Sequence, residues 1–273
     1  MPFLFCATRM CECAGDGPEK RVLHVFTLSW YYGVVYHIAM EIILLILYLL
    51  SLIGPRFILP ALGLHGALIV QTALHYGRIP LIGMRDTLGF LAFAIGVVYV
   101  LSGWKRKRDL FTFVTVPLVL LFLLGSRVSP PAMPGPLPPV LNTIWFELHV
   151  ILSFVAYALF AIGAIFGMLA LSRDEPSAEA NQYRSLLLGY VLFSIAMIFG
   201  GIWAYYAWGT YWLWTPKELW TTIVWFFYSL YLHARLVRGW TGPKVIWMGI
   251  IGFAIVLFTY AGVGLLMKSS HEF

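Results

Sequence analysis

Apolar runs of roughly 20 residues alternate with short polar connections along most of this chain, the length a helix needs to cross a hydrocarbon core about 30 Å thick. Eight such runs are present, at about 31–53, 61–77, 88–104, 110–125, 144–171, 185–207, 218–238 and 244–267. Polar punctuation separates several of them: GPRF, GRIPLIGMRD, KRKRD, SRDEPSAEANQYR and RGWTGPK. In lipid every backbone polar group must be satisfied within the protein, which leaves helices and closed barrels, and runs this long and evenly apolar predict helices. The expected fold class is an all-α integral membrane protein of about eight transmembrane helices. Residues 30–273 read as a single polytopic domain, and residues 1–29 as a polar N-terminal tail.

Composition agrees with that pattern. Of the 273 residues, 61% are apolar and 11% charged, where an ordinary soluble domain carries about 25% charged residues. Basic residues accumulate on the cytoplasmic side of a membrane protein. One face here receives Arg56, the run 105–108, Arg173, Arg184, Arg235, Arg238 and Lys244; the other receives Arg78, Arg85, Arg127, Lys217 and Lys268. The run at 105–108 decides the orientation and is placed to meet anionic lipid headgroups. Both termini, the Pro-rich stretch 129–139 and the connection between the sixth and seventh helices then lie outside. The formal charge of +6 is a topology signal, and no nucleic-acid partner is expected. Cys6, Cys11 and Cys13 lie in the tail; an odd number gives no self-contained disulfide framework, and a lone C-x-C lacks half of a zinc site. No cleavable signal peptide is evident in the first 29 residues, which lack a continuous apolar core.

The sixth-to-seventh connection is YYAWGTYWLWTPKELW, residues 205–220, with four tryptophans and three tyrosines. Aromatic residues collect at membrane boundaries in any case, but a belt spreads them over many helix ends. Concentrated on one short connection, with Gly209 for backbone freedom and Pro216 to open the next helix, they also suit a large flat apolar ligand whose acidic groups meet Lys217. Histidines bear on the choice, because an ionisable side chain in or beside a span is a functional candidate. His149, near the start of the fifth run, and His271, just beyond the eighth, fall at the level of the aromatic stretch. Neutral imidazole is a common axial ligand of haem iron, and haem is a large flat molecule with two acidic propionates. His233 follows Glu218 by 15 residues, about 22 Å along a helix, so it belongs to a second site near the other leaflet. His37 and Glu41, four apart in the first run, share a helix face. His65 is a candidate partner for His233, and His24 and His75 read as interfacial.

Residues 208–235, WGTYWLWTPKELWTTIVWFFYSLYLHAR, resemble the tryptophan-rich WWD signature of the cytochrome c assembly family. The branch they match best is the CcsA/ResC type of system II cytochrome c synthase, with its pattern W-G-x-Y-W-x-W-D-P-K-E-x-W followed by Y-x-x-Y-L-H-x-R. FTYAGVGLLMKSSHEF at the C-terminus resembles the family's last span, which ends on a histidine, and GRIPLIGMRDTLGFLAF resembles a third stretch more weakly. The chain departs from the pattern at Thr215, where the family has aspartate, at Arg85-Asp86-Thr87, and at Gly264, where the family has asparagine.

The resemblance implies a haem b cofactor and a haem-handling membrane domain. His149 and His271 are then the outward histidines that hold haem iron and serve as catalytic residues, and His233 is a third iron ligand that receives haem from the inner side. Trp208, Gly209, Tyr211, Trp212, Trp214, Pro216, Lys217, Glu218 and Trp220 match the cradling loop. The implied activity is haem-lyase attachment of haem to the C-x-x-C-H thiols of an apocytochrome c, with a CcsB/ResB-like membrane partner. It would take place on the extracytoplasmic face of a bacterial plasma (inner) membrane or a thylakoid-type membrane. The alternatives are a haem transporter or chaperone of the same family without ligation, and a membrane electron carrier. The last is disfavoured because only the outer histidine pair shares a depth.

Overall fold

The computed structural model describes residues 18–103, 110–130, 137–173 and 176–266. Cys6, Cys11, Cys13, the basic run 105–108 and His271 lie outside the described residues, as do the side chains of His24 and His37. The described residues are mostly helical and include no strand. Helix α1 (Pro18–Ile53) is followed by a short 3-10 turn, then by α2 (Ile58–Tyr76), α3 (Met84–Leu101), α4 (Leu110–Val128), α5 (Ile144–Arg173), α6 (Pro176–Trp208), α7 (Pro216–Leu236) and α8 (Pro243–Leu257). A π turn (Phe258–Gly262) and a final helical turn, α9 (Val263–Leu266), close the described chain. Two compact units are present, Met1–Ile46 and Leu47–Phe273. In the first, the described residues are helical from Pro18, inside the stretch read as a polar tail. The packing and the site described below concern the second.

Helices α1–α8 fall on the eight apolar runs. Six segments are long and apolar enough to cross a membrane: Pro55–Tyr76, Met84–Leu101, Leu110–Val128, Ile144–Ser172, Ser177–Trp208 and Pro243–Gly262. The protein is therefore a multi-pass membrane protein, with six candidate spans among the described residues where eight were expected. Helix α7 falls short because Lys217, Glu218, His233 and Arg235 interrupt it and its aromatics are Trp and Tyr as well as Phe. In α1 the described apolar segment is the shorter Ile38–Ile53.

Helix α5 is the axis of the second unit. Its apolar window is 78% buried, against at most 44% in any other candidate span. It packs most extensively on α6, and also on α8 and α3. Small residues make that approach close, as membrane helix pairs require when lipid supplies no hydrophobic drive. Leu186 of α6 sits over Gly163 of α5, where a Cβ would lie 2.6 Å from it, and Phe160 of α5 sits over Gly189 of α6 at 2.8 Å. Phe160 stacks on Tyr228 of α7, centroids 4.0 Å apart and planes 11° apart, and meets Phe193 of α6 edge-on at 5.9 Å. All three rings are fully or almost fully buried. At the Arg235 end of α7, the guanidinium pairs with Glu179 of α6 and donates to the Trp240 carbonyl at 3.0 Å, while Glu179 also accepts the Gly242 amide at 3.2 Å. One ion pair thus ties the start of α6 to the α7–α8 turn. His65 engages Tyr48, whose hydroxyl lies 3.0 Å from Nδ1, and the ring edge of Phe93.

Candidate functional site

A cavity of ≈ 340 Å³ opens between α5, α6, the 209–215 connection and the start of α7. The α2–α3 connection, α3 and the π turn complete its wall. Helix α5 contributes His149, Ser153 and Tyr157, one stripe at a spacing of four residues, which carries the wall about 12 Å along the helix. Helix α6 contributes Phe193, Met197, Gly200 and Trp203. At the end remote from the connection Phe193 lines the cavity, and the buried rings of Phe160 and Tyr228 pack behind it to back an aromatic floor.

His149 is held on one side only. Its Nδ1 lies 2.8 Å from the Ala196 carbonyl of α6. A carbonyl only accepts, so Nδ1 carries the proton, and in the neutral ring Nε2 keeps its lone pair. A hydrogen bond from one ring nitrogen to a carbonyl is the usual way a metal-binding histidine is oriented. Trp203 lies nearly parallel to the imidazole, 14° between planes with centroids 6.4 Å apart, and donates its indole N–H to the Val140 carbonyl at 2.8 Å. The residue that follows the Pro-rich stretch is thereby tied to the end of α6.

The tryptophan-rich connection is built around one carboxylate. Helix α6 stops at Trp208 because Gly209 turns into the left-handed region at φ 73°. Tyr211 folds back to stack on Tyr205, centroids 4.7 Å apart. Trp214 also takes a positive φ, 58°, a conformation that costs a side-chain-bearing residue roughly 1–2 kcal/mol. Glu218 compensates: its Oε2 accepts the Leu213 and Thr215 amides, both at 2.9 Å, on either side of Trp214. Thr215 is the N-cap of α7 and accepts the Glu218 amide, completing a reciprocal capping box with Pro216 at the first helical position. Thr215 therefore keeps the capping role that an aspartate would fill.

Of the residues singled out in the sequence, His149, Tyr211, Trp212, Lys217 and Glu218 line the cavity. Among the described residues, the others stand elsewhere. Trp208 packs edge-on to Trp203, Trp220 packs on Phe258, and Trp214 is 68% exposed. Gly209 and Pro216 shape the backbone. His233 is exposed in the last turn of α7, beyond the aromatic floor. Sequence reading passed over Gly200, Trp203, Ser153 and Tyr157; the last two share a helix face with His149 and were legible from its period. It also passed over the 2.7 Å hydrogen bond between Thr87 and Tyr260, which closes the wall between α3 and the π turn. That contact joins residues 173 apart and leaves no local pattern.

Lys217 and Glu218 are not a solvated pair, since Glu218 is 9% exposed and turned into its own loop. Burial holds the Lys217 ammonium below its ordinary pKa. The unfolded chain then binds the proton more tightly, so ligand-free stability rises as pH climbs from the lowered value toward about 10.4. Thermal unfolding across that window checks this. Lys217→Met is expected to flatten the rise and to stabilise the ligand-free protein near neutrality; an unchanged profile refutes the assignment.

Residues 81–271 match the family described as Cytochrome C assembly protein, and every residue that lines the cavity falls inside that segment. The chain belongs to the cytochrome c assembly family. Within it, this cytochrome c assembly protein is of the CcsA type. It is 30% identical over 252 residues to the cytochrome c biogenesis protein CcsA of Chlamydomonas reinhardtii, covering 84% of this chain and 70% of that one. Against CcsA of Rippkaea orientalis (strain PCC 8801 / RF-1) it is 27% identical over 322 residues, covering 85% and 94%. Among solved structures, the cytochrome c haem lyase CcmF shares the fold, with a TM-score of 0.57 at 17% identity over 85% of this chain and 45% of that one. The assembly-family segment thus holds the whole cavity, and the fold agrees with that of a haem lyase.

Proposed function

We propose that this chain binds haem b in the cavity beside the tryptophan-rich connection and presents it for covalent attachment to an apocytochrome c. One observation carries the reading. His149 donates its Nδ1–H to the Ala196 carbonyl and lines a mostly apolar cavity, which leaves Nε2 as the free ligand atom. The rest of the wall fits the same group: Trp212 and Tyr211 supply flat surface, and half-buried Lys217 is a cation suited to a carboxylate.

Haem b supplies two vinyl groups, and each thiol of a C-x-x-C-H segment adds across one of them, forming a C–S and a C–H bond with no net transfer of electrons. The chain's part is positioning, which replaces an improbable encounter by an oriented one. His149 would hold the iron, with His271 assigned as its second ligand. The connection 209–215 lines the cavity through Tyr211 and Trp212 and is assigned to keep water from the apolar wall and to fix which edge is offered. These residues are assigned to the extracytoplasmic face of a bacterial plasma or thylakoid-type membrane. His233, exposed at the far end of α7, is assigned to haem entering from the inner side, where a CcsB/ResB-like partner supplies the opposing ligand. The aromatic floor favours a route along the outer surface of α7 over one through the bundle.

The test is the absorption spectrum of the purified protein, alone and with its partner, for the wild type and His149→Ala. A six-coordinate haem signal that falls at least tenfold in the variant is expected, together with covalent haem on a co-expressed C-x-x-C-H reporter. Bound haem with no covalent product in the presence of the partner would make the protein a haem carrier. An unchanged spectrum in His149→Ala would sink the assignment.

A further inference from the structure

Helix α6 carries two adjacent glycines at the level of the cavity, Gly200 and Gly201, and their surroundings differ. A Cβ at Gly200 would lie 2.6 Å from His149 Nδ1, 2.8 Å from Cε1 and 3.3 Å from Cγ. A Cβ at Gly201 would meet only the Tyr211 carbonyl, at an ordinary 3.6 Å. The first glycine leaves a notch one methyl deep, and the imidazole of His149 fills it.

The notch explains how the hydrogen bond to Ala196 forms. Ala196 and Gly200 are four apart on α6, so they stack on one face. With any side chain at 200 the ring could not reach the Ala196 carbonyl at 2.8 Å. Three constraints then act on the ring together: the carbonyl fixes Nδ1, the notch fixes the ring edge, and Trp203 lies parallel beyond it. The three nearest atoms that a Cβ at 200 would meet all belong to the His149 ring, so it is the imidazole that has to move.

We propose that Gly200 is a positioning residue for the proposed haem site: its missing side chain seats His149 against α6, and so sets the tautomer and plane of the ligand imidazole. It touches no haem and acts only through His149. The inference rests on the reading of His149 as an iron ligand. Its consequence is that the smallest side-chain addition at 200 acts like loss of the histidine, although no ligand atom is removed. Displaced from the notch, the ring swings into the cavity, loses the Ala196 carbonyl and no longer has a fixed tautomer.

The experiment uses the full chain, purified and titrated with haem b, in four forms: wild type, Gly200→Ala, Gly201→Ala and His149→Ala. Alanine is a better helix former than glycine, so both glycine variants favour the helix and differ in what the new methyl meets. The readouts are the haem absorption spectrum, which reports axial coordination, and haem affinity. Gly200→Ala is expected to lose the six-coordinate spectrum and at least tenfold in affinity, as His149→Ala does, while Gly201→Ala matches the wild type. A Gly200→Ala spectrum like the wild type, with His149→Ala altered, overturns the notch and leaves the ligand reading standing. Equal losses in both glycine variants overturn it as well, since the effect would then belong to the helix. An unaltered His149→Ala overturns the ligand reading and the inference together.

Discussion

Replacing Glu218 by alanine is expected to lower haem occupancy at least tenfold while leaving the helical bundle folded. The carboxylate holds the connection together through two amides, Leu213 and Thr215, each 2.9 Å from Oε2. Hydrogen bonds to a charged group are worth about 1.5–3 kcal/mol each, so the pair contributes roughly 3–6 kcal/mol to holding the loop. Trp214 between them returns roughly 1–2 kcal/mol of that as backbone strain. Without the carboxylate the left-handed turn at Trp214 has no support, and Trp212 and Tyr211 leave the cavity wall. A change of about 3 kcal/mol is roughly a hundredfold in a loop-ordering equilibrium, which leaves room for the tenfold loss expected in occupancy.

Glu218→Gln separates position from charge. An amide oxygen has two lone pairs and can accept both amides at neutral–neutral strength, so the glutamine variant should retain most of the haem. Haem per protein, read with limited proteolysis between 209 and 215, checks both variants. If Glu218→Ala binds haem as the wild type does and resists proteolysis equally, the loop does not depend on this carboxylate. If Gln and Ala fail alike, the charge itself is required at the cavity.

The helices were legible because apolar runs of this length admit few other structures, and the π turn aside, each long helix sits on its run. The connection was legible for a different reason: Gly209, Pro216 and the Thr215–Glu218 spacing are local signals that act within a few residues. Its internal division of labour was not. Trp208, Trp214 and Trp220 share one sequence pattern with Trp212, yet of these only Trp212 lines the cavity. Which way a loop tryptophan turns depends on the φ at 214 and on partners such as Trp203 and Phe258, which sequence spacing does not encode. His149 stands out in the sequence by its place near the start of the fifth run, whereas Gly200, against which its ring packs, is one of 25 glycines until α5 and α6 are packed. Helix α7 was read as a span from its apolar residues alone. Its loop-end carboxylate and its ion pair at Arg235 show that it is fastened at both ends by polar contacts.

The second large effect is on stability. Phe160→Ala is expected to destabilise the protein by about 3–5 kcal/mol, the range for removing a fully buried aromatic ring. Phe160 is fully buried, stacked on Tyr228 at 4.0 Å and seated over Gly189. Three helices, α5, α6 and α7, lose their common contact when it goes, and the surroundings cannot collapse onto the gap because Gly189 offers no side chain to fill it. The variant also tests the floor of the cavity. His149, Lys217 and the Glu218 loop lie beyond the truncated ring and keep their own partners, so haem that does bind should show the wild-type axial spectrum. Unfolding in detergent, followed together with the haem spectrum, reads both effects. A loss of stability below about 1 kcal/mol would mean that the aromatic floor is not the packing centre of the bundle, since small changes of that size are typical of sites away from the core. A full loss of stability with a changed axial spectrum would mean that the floor and the His149 end of the cavity form one cooperative unit rather than two.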